Sequence, residues 1–518
     1  MRQILVCNNE ENIVKTDKGA VRGFSLDGLH IFKGIPYARA KRFHAPEPAE
    51  AWDGLFDATS FGYVCPLFRL PKPNGELDVP HRYWPMDEDC LNLNIWTPGI
   101  DDKKRPVLVW LHGGAFSDGS AIEHVAYEGE NIARFGDVVM VSVNHRLNIL
   151  GYLDLSDFGE KYANSGNAGT DDIIAALKWI QINIAAFGGD PDCVTVFGQS
   201  GGGAKVTTLL QSPAADGLYH RGMNMSGVVG PDLADSEGSG EPLIRAMMKE
   251  IGTEDVRILE SVPYQQLVAA YEKCAPAIRA AGGNVGTTPH PNAYYAGSPD
   301  KHGFRKETAH IPMLIGNVFG EFSAAMAPEM NRAAIPEAEQ MALIVDTVGE
   351  EAANILIPLF KEAYPTRRLV DILSLDCQFR EPSMDYIRQR CALNNSTYSY
   401  MFLRDMAAHY GKIPVHCVDI PFYFHNTELV PSSCVEGSEK LEAQMFGALM
   451  AFARAGNPNH AGIPEWPAST PEEENVIIWD REVSIVINHD HKLMPEFVKY
   501  MGPVFMKRFL ENREQLAH

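Results

Sequence analysis

The sequence predicts an α/β chain: a large central sheet, mixed but mostly parallel, with helices on both faces and a small antiparallel sheet near the N-terminus. Three observations carry this. Several short runs are apolar at every position and rich in Val, Ile and Leu, as in strands buried on both faces. Amphipathic stretches at helical spacing separate them, and glycine-rich junctions close several of the strands. With 518 residues and 45% hydrophobic content the chain can bury a large core. No Ser/Gly tract, block of like charge or fixed-period repeat divides residues 1–518, so they read as a single domain.

The elements follow in order. Residues Ile13 to Ile31 hold Gly19, Gly23 and Gly28 between short β-type runs, which predicts the small antiparallel sheet. The strands of the main sheet are expected at Val107–Leu111, Val138–Val143, Val194–Phe197, Met313–Ile315 and Tyr398–Leu403. Between Asp172 and Ile184 the apolar residues Ile173, Ala176, Leu177, Ile180 and Ile184 fall on one helical face. A second helix, Leu441 to Ala455, is halted by Gly456-Asn457-Pro458. Pro66–Pro85 and Ala280–Lys306 are rich in Pro, Gly, His and Tyr and show no period. They read as long loop insertions over the strand ends, where α/β sites lie.

Composition excludes several classes of function. Sixty-seven acidic against 45 basic residues give a formal charge of −22, a surface that repels phosphate backbones and anionic lipid, so no nucleic acid partner is expected. No apolar run is long enough for a membrane span. Met1 to Glu11 carries only Ile4-Leu5-Val6 before polar residues, no signal peptide is read there, and a cytoplasmic rather than secreted protein is expected. The nine cysteines are scattered, and no Cys-x-x-Cys or His-x-x-x-His spacing suggests a metal, so neither metal nor cofactor is predicted.

Chemistry concentrates at Val194-Thr195-Val196-Phe197-Gly198-Gln199-Ser200-Gly201-Gly202-Gly203-Ala204. A β-branched strand runs into Gly-x-Ser-x-Gly and then into a helical stretch. A serine on such a tight turn needs small neighbours and projects its hydroxyl clear of the sheet. Taken alone, the motif also fits an ordinary glycine-rich turn. Acyl transfer through serine needs three further things: a base, an acid that orients it, and donors for an oxyanion. Leu111-His112-Gly113-Gly114-Ala115-Phe116, following a buried strand, offers the donors, because small residues let backbone amides approach developing charge. Among 17 histidines no single one stands out by local pattern.

Longer segments supply the missing assignment. Glu88-Asp89-Cys90-Leu91-Asn92-Leu93-Asn94-Ile95-Trp96, His112 to Phe116, Asn167-Ala168-Gly169 with Asp172, and Phe187-Gly188-Gly189-Asp190-Pro191 before Ser200 resemble the type-B carboxylesterase and cholinesterase family. Phe452 to Asn459 and Trp466-Pro467 fit its C-terminal part, so the match runs from about residue 13 to 510. The likeness is to bacterial p-nitrobenzyl-esterase-type members. It implies an α/β-hydrolase fold and a serine carboxylesterase that cleaves a small-molecule ester substrate, small to medium and uncharged, through an acyl-enzyme on Ser200.

The resemblance also implies site residues. Glu321, five residues after Gly316 of Ile311-Pro312-Met313-Leu314-Ile315-Gly316, is the expected acid, and His416 in Pro414-Val415-His416-Cys417-Val418-Asp419 the expected base, with His409 its competitor. Oxyanion donors would be the amides of Gly114, Ala115 and Gly201, with Gly113, Gln199 and Ser226 in support. Arg42 and Glu88 match a structural ion pair, and Cys65 and Cys90 match the family's first disulfide, which free thiols in a reducing compartment would replace.

Departures are informative. Gln199 stands where the family usually has glutamate, which disfavours cationic choline esters. Gly201 replaces a common alanine, a change read as local stiffness. Trp84 sits near the family's cation-binding tryptophan at a shorter spacing, so a packed loop aromatic is the competing reading. Other readings carried forward are a non-catalytic interaction protein that kept the fold, and a lipase or amidase using the same triad.

Overall fold

A computed structural model describes residues 4–8, 10–70, 77–230, 234–326, 330–407 and 411–517. Its centre is a twelve-stranded sheet that collects segments from Leu5 to Ile487. Seven neighbouring strands are parallel, in the spatial order Val139–Val143, Arg105–Leu111, Gly189–Gln199, Arg221–Met225, Met313–Val318, Thr397–Phe402 and Asn475–Trp479. Antiparallel strands flank them: Asn92–Thr97 and Leu29–Pro36 on one side, Ser484–Ile487 on the other. This is the α/β-hydrolase architecture expected from the sequence.

Strand Arg105–Leu111 shows why the sheet holds. Val107, Val109 and Leu111 face a core shared with helices Ala168–Asn183 and Gly201–Leu210, through residues such as Ile173, Leu177, Val206 and Leu209. Leu108 and Trp110 face the opposite core, with Leu441, Ala448, Leu449 and Phe452 of helix Ser438–Ala455. Alternation along one strand thus feeds two helical layers, which is why the run is apolar at every position.

Three expectations need correction. The N-terminal region splits: Ile13–Lys15 and Ala20–Arg22 pair antiparallel and add Leu55–Asp57 in parallel as a separate small sheet. Phe24–Leu26 and Leu29–Pro36 instead join the main sheet, because Leu29, Ile31, Phe32 and Ile35 are buried there. Strand Gly189–Gln199 begins five residues before the predicted Val194, its polar start Asp190-Pro191-Asp192 lying at the sheet edge. The helix predicted from Asp172 starts at Ala168, and its last turn tightens into a 3₁₀ segment at Ile184–Phe187. No helix among the described residues is long and apolar enough to cross a membrane.

The parallel strands place four segments side by side at their C-terminal ends: Leu111 before His112, Gln199 before Ser200, Met225 before Ser226 and Val318 before Glu321. Open α/β sheets present their sites at this edge.

Candidate active site

Ser200 follows its strand with φ 58° and ψ −126°, a conformation that costs a non-glycine residue of order 1–3 kcal/mol and persists only when its surroundings impose it. Its amide donates to the Met225 carbonyl at 2.7 Å, and its own carbonyl accepts from Ala204 N at 3.0 Å in the first turn of helix Gly201–Leu210. A Cβ on Gly202 would lie 1.9 Å from the Leu111 carbonyl oxygen, so the helix can start this close to the neighbouring strand only with glycine there. The glycine run and the strained serine are therefore one feature.

The segment after Leu111 meets this turn from the side. Gly114 and Ala115 have φ 82° and 50°, and the Gly114 carbonyl accepts from Ser117 N and Asp118 N at 3.2 and 2.8 Å, closing a turn. A Cβ added at Gly113 would stand 3.4 Å from Ser200 Cβ, and one at Gly201 only 2.1 Å from the Ala115 carbonyl oxygen. The backbones of residues 113–115 and 200–201 are thus in direct contact. The amides of Gly114, Ala115 and Gly201 have no backbone acceptor among the described residues.

Glu321 is fully buried at the end of strand Met313–Val318, with φ 42° and a bridge to Val415 that ties it to the histidine segment. Its carboxylate accepts from Ser226 Oγ at 2.6 Å, from Val318 N at 2.7 Å and from His416 Nδ1. Because the carboxylate accepts, the imidazole proton belongs on Nδ1, leaving Nε2 as a base. The Gln199 side-chain Nε2 lies 3.2 Å from that imidazole nitrogen, and the Cys417 thiol donates to the Gln199 side-chain Oε1 at 3.1 Å. The rings of Phe322 and Phe379 lie 4.3 and 5.1 Å from the imidazole and shield it from water. Ser226 and Cys417 also have positive φ, so strain gathers where these segments converge.

Two more buried carboxyls adjoin the acid. Burial, with the Glu321 charge adding to it, pushes Asp376 up to about 7. Asp419 is likewise pushed up to about 7 by burial, partly offset by the hydrogen bond it accepts from Tyr400 at 2.6 Å.

Ser200, His416, Gly114 and Ala115 line one cavity of about 640 Å³. Both long loops reach it, through His81 and through Thr287 and Thr288. Aromatic walls come from Phe116, Phe322, Phe379 and Phe509. Sequence reading missed the last three. Phe322 could have been found as the neighbour of Glu321, whereas nothing local marks Phe509 on the C-terminal helix Met494–Ala517.

The remaining expectations resolve as follows. His409 lies outside the described residues. Trp84 stands outside the cavity and meets Phe61 edge-on at 5.5 Å, which fits the packed loop aromatic. Arg42 Nε donates to Glu88 at 2.9 Å and Nη1 to the Leu259 and Val262 carbonyls, a structural tie away from the cavity. Of the two readings of Cys65 and Cys90, the structure has the free thiols, both buried. The Cys65 hydrogen bond and burial push the Cys90 thiol well up.

Comparison with known proteins finds similarity over most of the chain. Residues 10–498 match the carboxylesterase family. Para-nitrobenzyl esterase of Bacillus subtilis is 32% identical over 493 residues, 91% of this chain and 96% of that protein. A solved Clostridium hathewayi esterase, described as able to hydrolyse aliphatic aromatic polyesters, is 50% identical, with a TM-score of 0.93 over 96% of this chain and 100% of that one. A Geobacillus stearothermophilus carboxylesterase superposes with a TM-score of 0.72 at 32% identity, covering 94% and 100% of the two chains. An elbow serine, a carboxylate-held imidazole and a match of this length place the chain in the carboxylesterase family, as a carboxylic ester hydrolase of the α/β-hydrolase fold.

Proposed function

We propose that the chain hydrolyses small to medium uncharged esters through an acyl-enzyme on Ser200, with His416 as base, Glu321 as its orienting acid, and the amides of Gly114, Ala115 and Gly201 as the oxyanion site. The observation that carries this is the His416 Nδ1–Glu321 hydrogen bond, which leaves Nε2 unprotonated beside the residue preceding Ser200. In the forward step His416 Nε2 takes the serine proton as Oγ attacks the ester carbonyl, and the oxyanion settles on the three amides. The alcohol leaves with the proton from His416, and water repeats the sequence on the acyl group.

The substrate class follows from the walls. Four phenylalanines favour apolar or aromatic acyl and alcohol groups. The polyester activity stated for the Clostridium hathewayi relative fits such a cavity, and aromatic ester units are proposed as substrates here too. One sheet drawing strands from both ends of the chain supports reading it as a single domain, and nine free cysteines support a reducing compartment such as the cytoplasm.

The test is Ser200→Ala beside the unaltered chain, on p-nitrophenyl esters of increasing acyl length and on a terephthalate ester, with a fluorophosphonate probe. The expected result is loss of probe labelling and of the acyl-enzyme burst, with the fold retained. Ester turnover surviving in the variant would refute the assignment.

A further inference from the structure

Lys205 is a buried cation for which acyl transfer as described has no use. It sits on helix Gly201–Leu210, five residues past Ser200, and is 1% exposed. Its Nζ donates to the His112 carbonyl at 2.9 Å, the carbonyl immediately before Gly113-Gly114-Ala115. The Phe116 ring lies 6.0 Å from the same nitrogen. No carboxylate among the described residues forms an ion pair with it; Glu123 and Asp118 act on it only as more distant charges. His112 and His145, stacked at 5.1 Å, are both held well below the ordinary histidine range by burial and then by this ammonium, so they stay neutral.

An ammonium with three donors and one accepted bond is expensive to bury, and burial accordingly lowers it to about 7. Methionine or leucine would fill the same space without that cost. What methionine or leucine would lack is the donor on the His112 carbonyl. That carbonyl belongs to the peptide unit from which the 113–115 turn departs, and a Cβ on Gly202 would lie 3.0 Å from it, so strand end, turn and helix are packed against one another here. Fixing the carbonyl fixes the direction in which Gly114 and Ala115 leave the strand.

We propose that Lys205 is a positioning residue of the oxyanion site: it clamps the His112 carbonyl to the helix that carries Ser200, and so holds the Gly114 and Ala115 amides where charge develops on the tetrahedral intermediate. The proposal rests on the Ser200 reading. The amides meet full negative charge only in the transition state, so loosening them affects kcat and leaves ground-state binding alone.

The experiment compares Lys205→Met, Lys205→Gln and Ser200→Ala with the unaltered chain. Four quantities are read: kcat, KM, Tm, and the affinity of a trifluoromethyl ketone, which forms an oxyanion on the serine. The expected outcome for Lys205→Met is a kcat about 10- to 100-fold lower. KM stays within about twofold, ketone affinity falls by the same factor as kcat, and Tm is no lower than before. Lys205→Gln, which keeps a neutral donor, recovers part of the loss and serves as the second variant if methionine does not fold. Full kcat in either folded variant, or a loss of kcat without loss of ketone affinity, overturns the proposal. Turnover by Ser200→Ala would instead refute the parent reading, and with it this one; an inactive Ser200→Ala beside a fully active Lys205→Met refutes this one alone.

Discussion

Gly201→Ala puts the contact between the two halves of the proposed oxyanion site to a quantitative test. The added Cβ would lie 2.1 Å from the Ala115 carbonyl oxygen, 2.3 Å from its Cα and 2.4 Å from its nitrogen, against ordinary contact of 3.4 Å or more. All three are backbone atoms, so no rotamer relieves the overlap, and the turn must retreat by about 1 Å or more. A hydrogen bond near 2.9 Å that lengthens by about that much is no longer a bond. The variant therefore loses effective donation from Ala115 relative to Gly201, and kcat should fall about 100-fold or more, near 2.7 kcal/mol. Ala115 already has φ 50°, a region that favours glycine, so Ala115→Gly frees the turn to move. The double variant should regain at least about tenfold, a coupling expected of residues in contact. Steady-state kcat and the burst of p-nitrophenol on p-nitrophenyl acetate decide the matter. A Gly201→Ala protein with kcat within about threefold of the original would refute the steric reasoning.

Two further predictions follow from neighbouring geometry. Ser226→Ala removes the 2.6 Å hydrogen bond to the Glu321 carboxylate, a charge-assisted bond of about 1.5–3 kcal/mol. The carboxylate then holds His416 less firmly, and kcat should drop roughly tenfold with KM little changed, so an unchanged kcat would dismiss Ser226 as packing. Next to Phe379 but with its side chain turned to other partners, Arg380 is fully buried and donates to Glu474 at 2.8 Å and to Asp490 at 2.7 Å. Burial pushes both carboxyls up, but the guanidinium overrides it and leaves both below the usual range. Folded values below unfolded ones mean that this stability is present above about pH 4, where unfolded carboxyls ionise, and is lost as pH falls through the folded values. Arg380→Met removes the guanidinium from two buried carboxylates, leaving Glu474 with His491 and Ser399 and Asp490 with the Tyr364 hydroxyl, and should cost about 3 kcal/mol at pH 7. Urea denaturation should show the deficit shrinking toward pH 4 as these carboxyls take up protons, and a constant deficit would contradict the pairing.

Legibility of the fold tracked what each residue does locally. Val107 to Leu111 announced a buried strand because both its faces pack on helices, and five apolar positions in a row record that directly. Phe24 to Pro36 did not reveal its partner, since alternation states that one side is buried but not against which sheet. The early start of helix Ala168–Asn183 was hidden for a related reason. Gly169 and Thr170 are weak helix formers, and both are buried in the fold, where tertiary packing outweighs propensity.

The candidate site divides along the same line. Ser200 and the 113–115 turn were legible because close backbone approach demands glycine, and glycine is visible in a sequence. Glu321 and His416 came only from family resemblance. Glu321 takes its positive φ from a bridge to Val415, a contact between segments far apart in the chain, and no local pattern encodes it. Lys205 is the extreme case. On a helix otherwise lined with Val206, Leu209 and Leu210 it reads as the solvent-facing residue that breaks an apolar stripe, and only the His112 carbonyl across the turn shows that the charge points inward. A residue whose role is to bear on another segment's backbone leaves its partner's mark on geometry alone, so the parts of this site most dependent on long-range contact are those where variants at 201, 115 and 205 carry the most information.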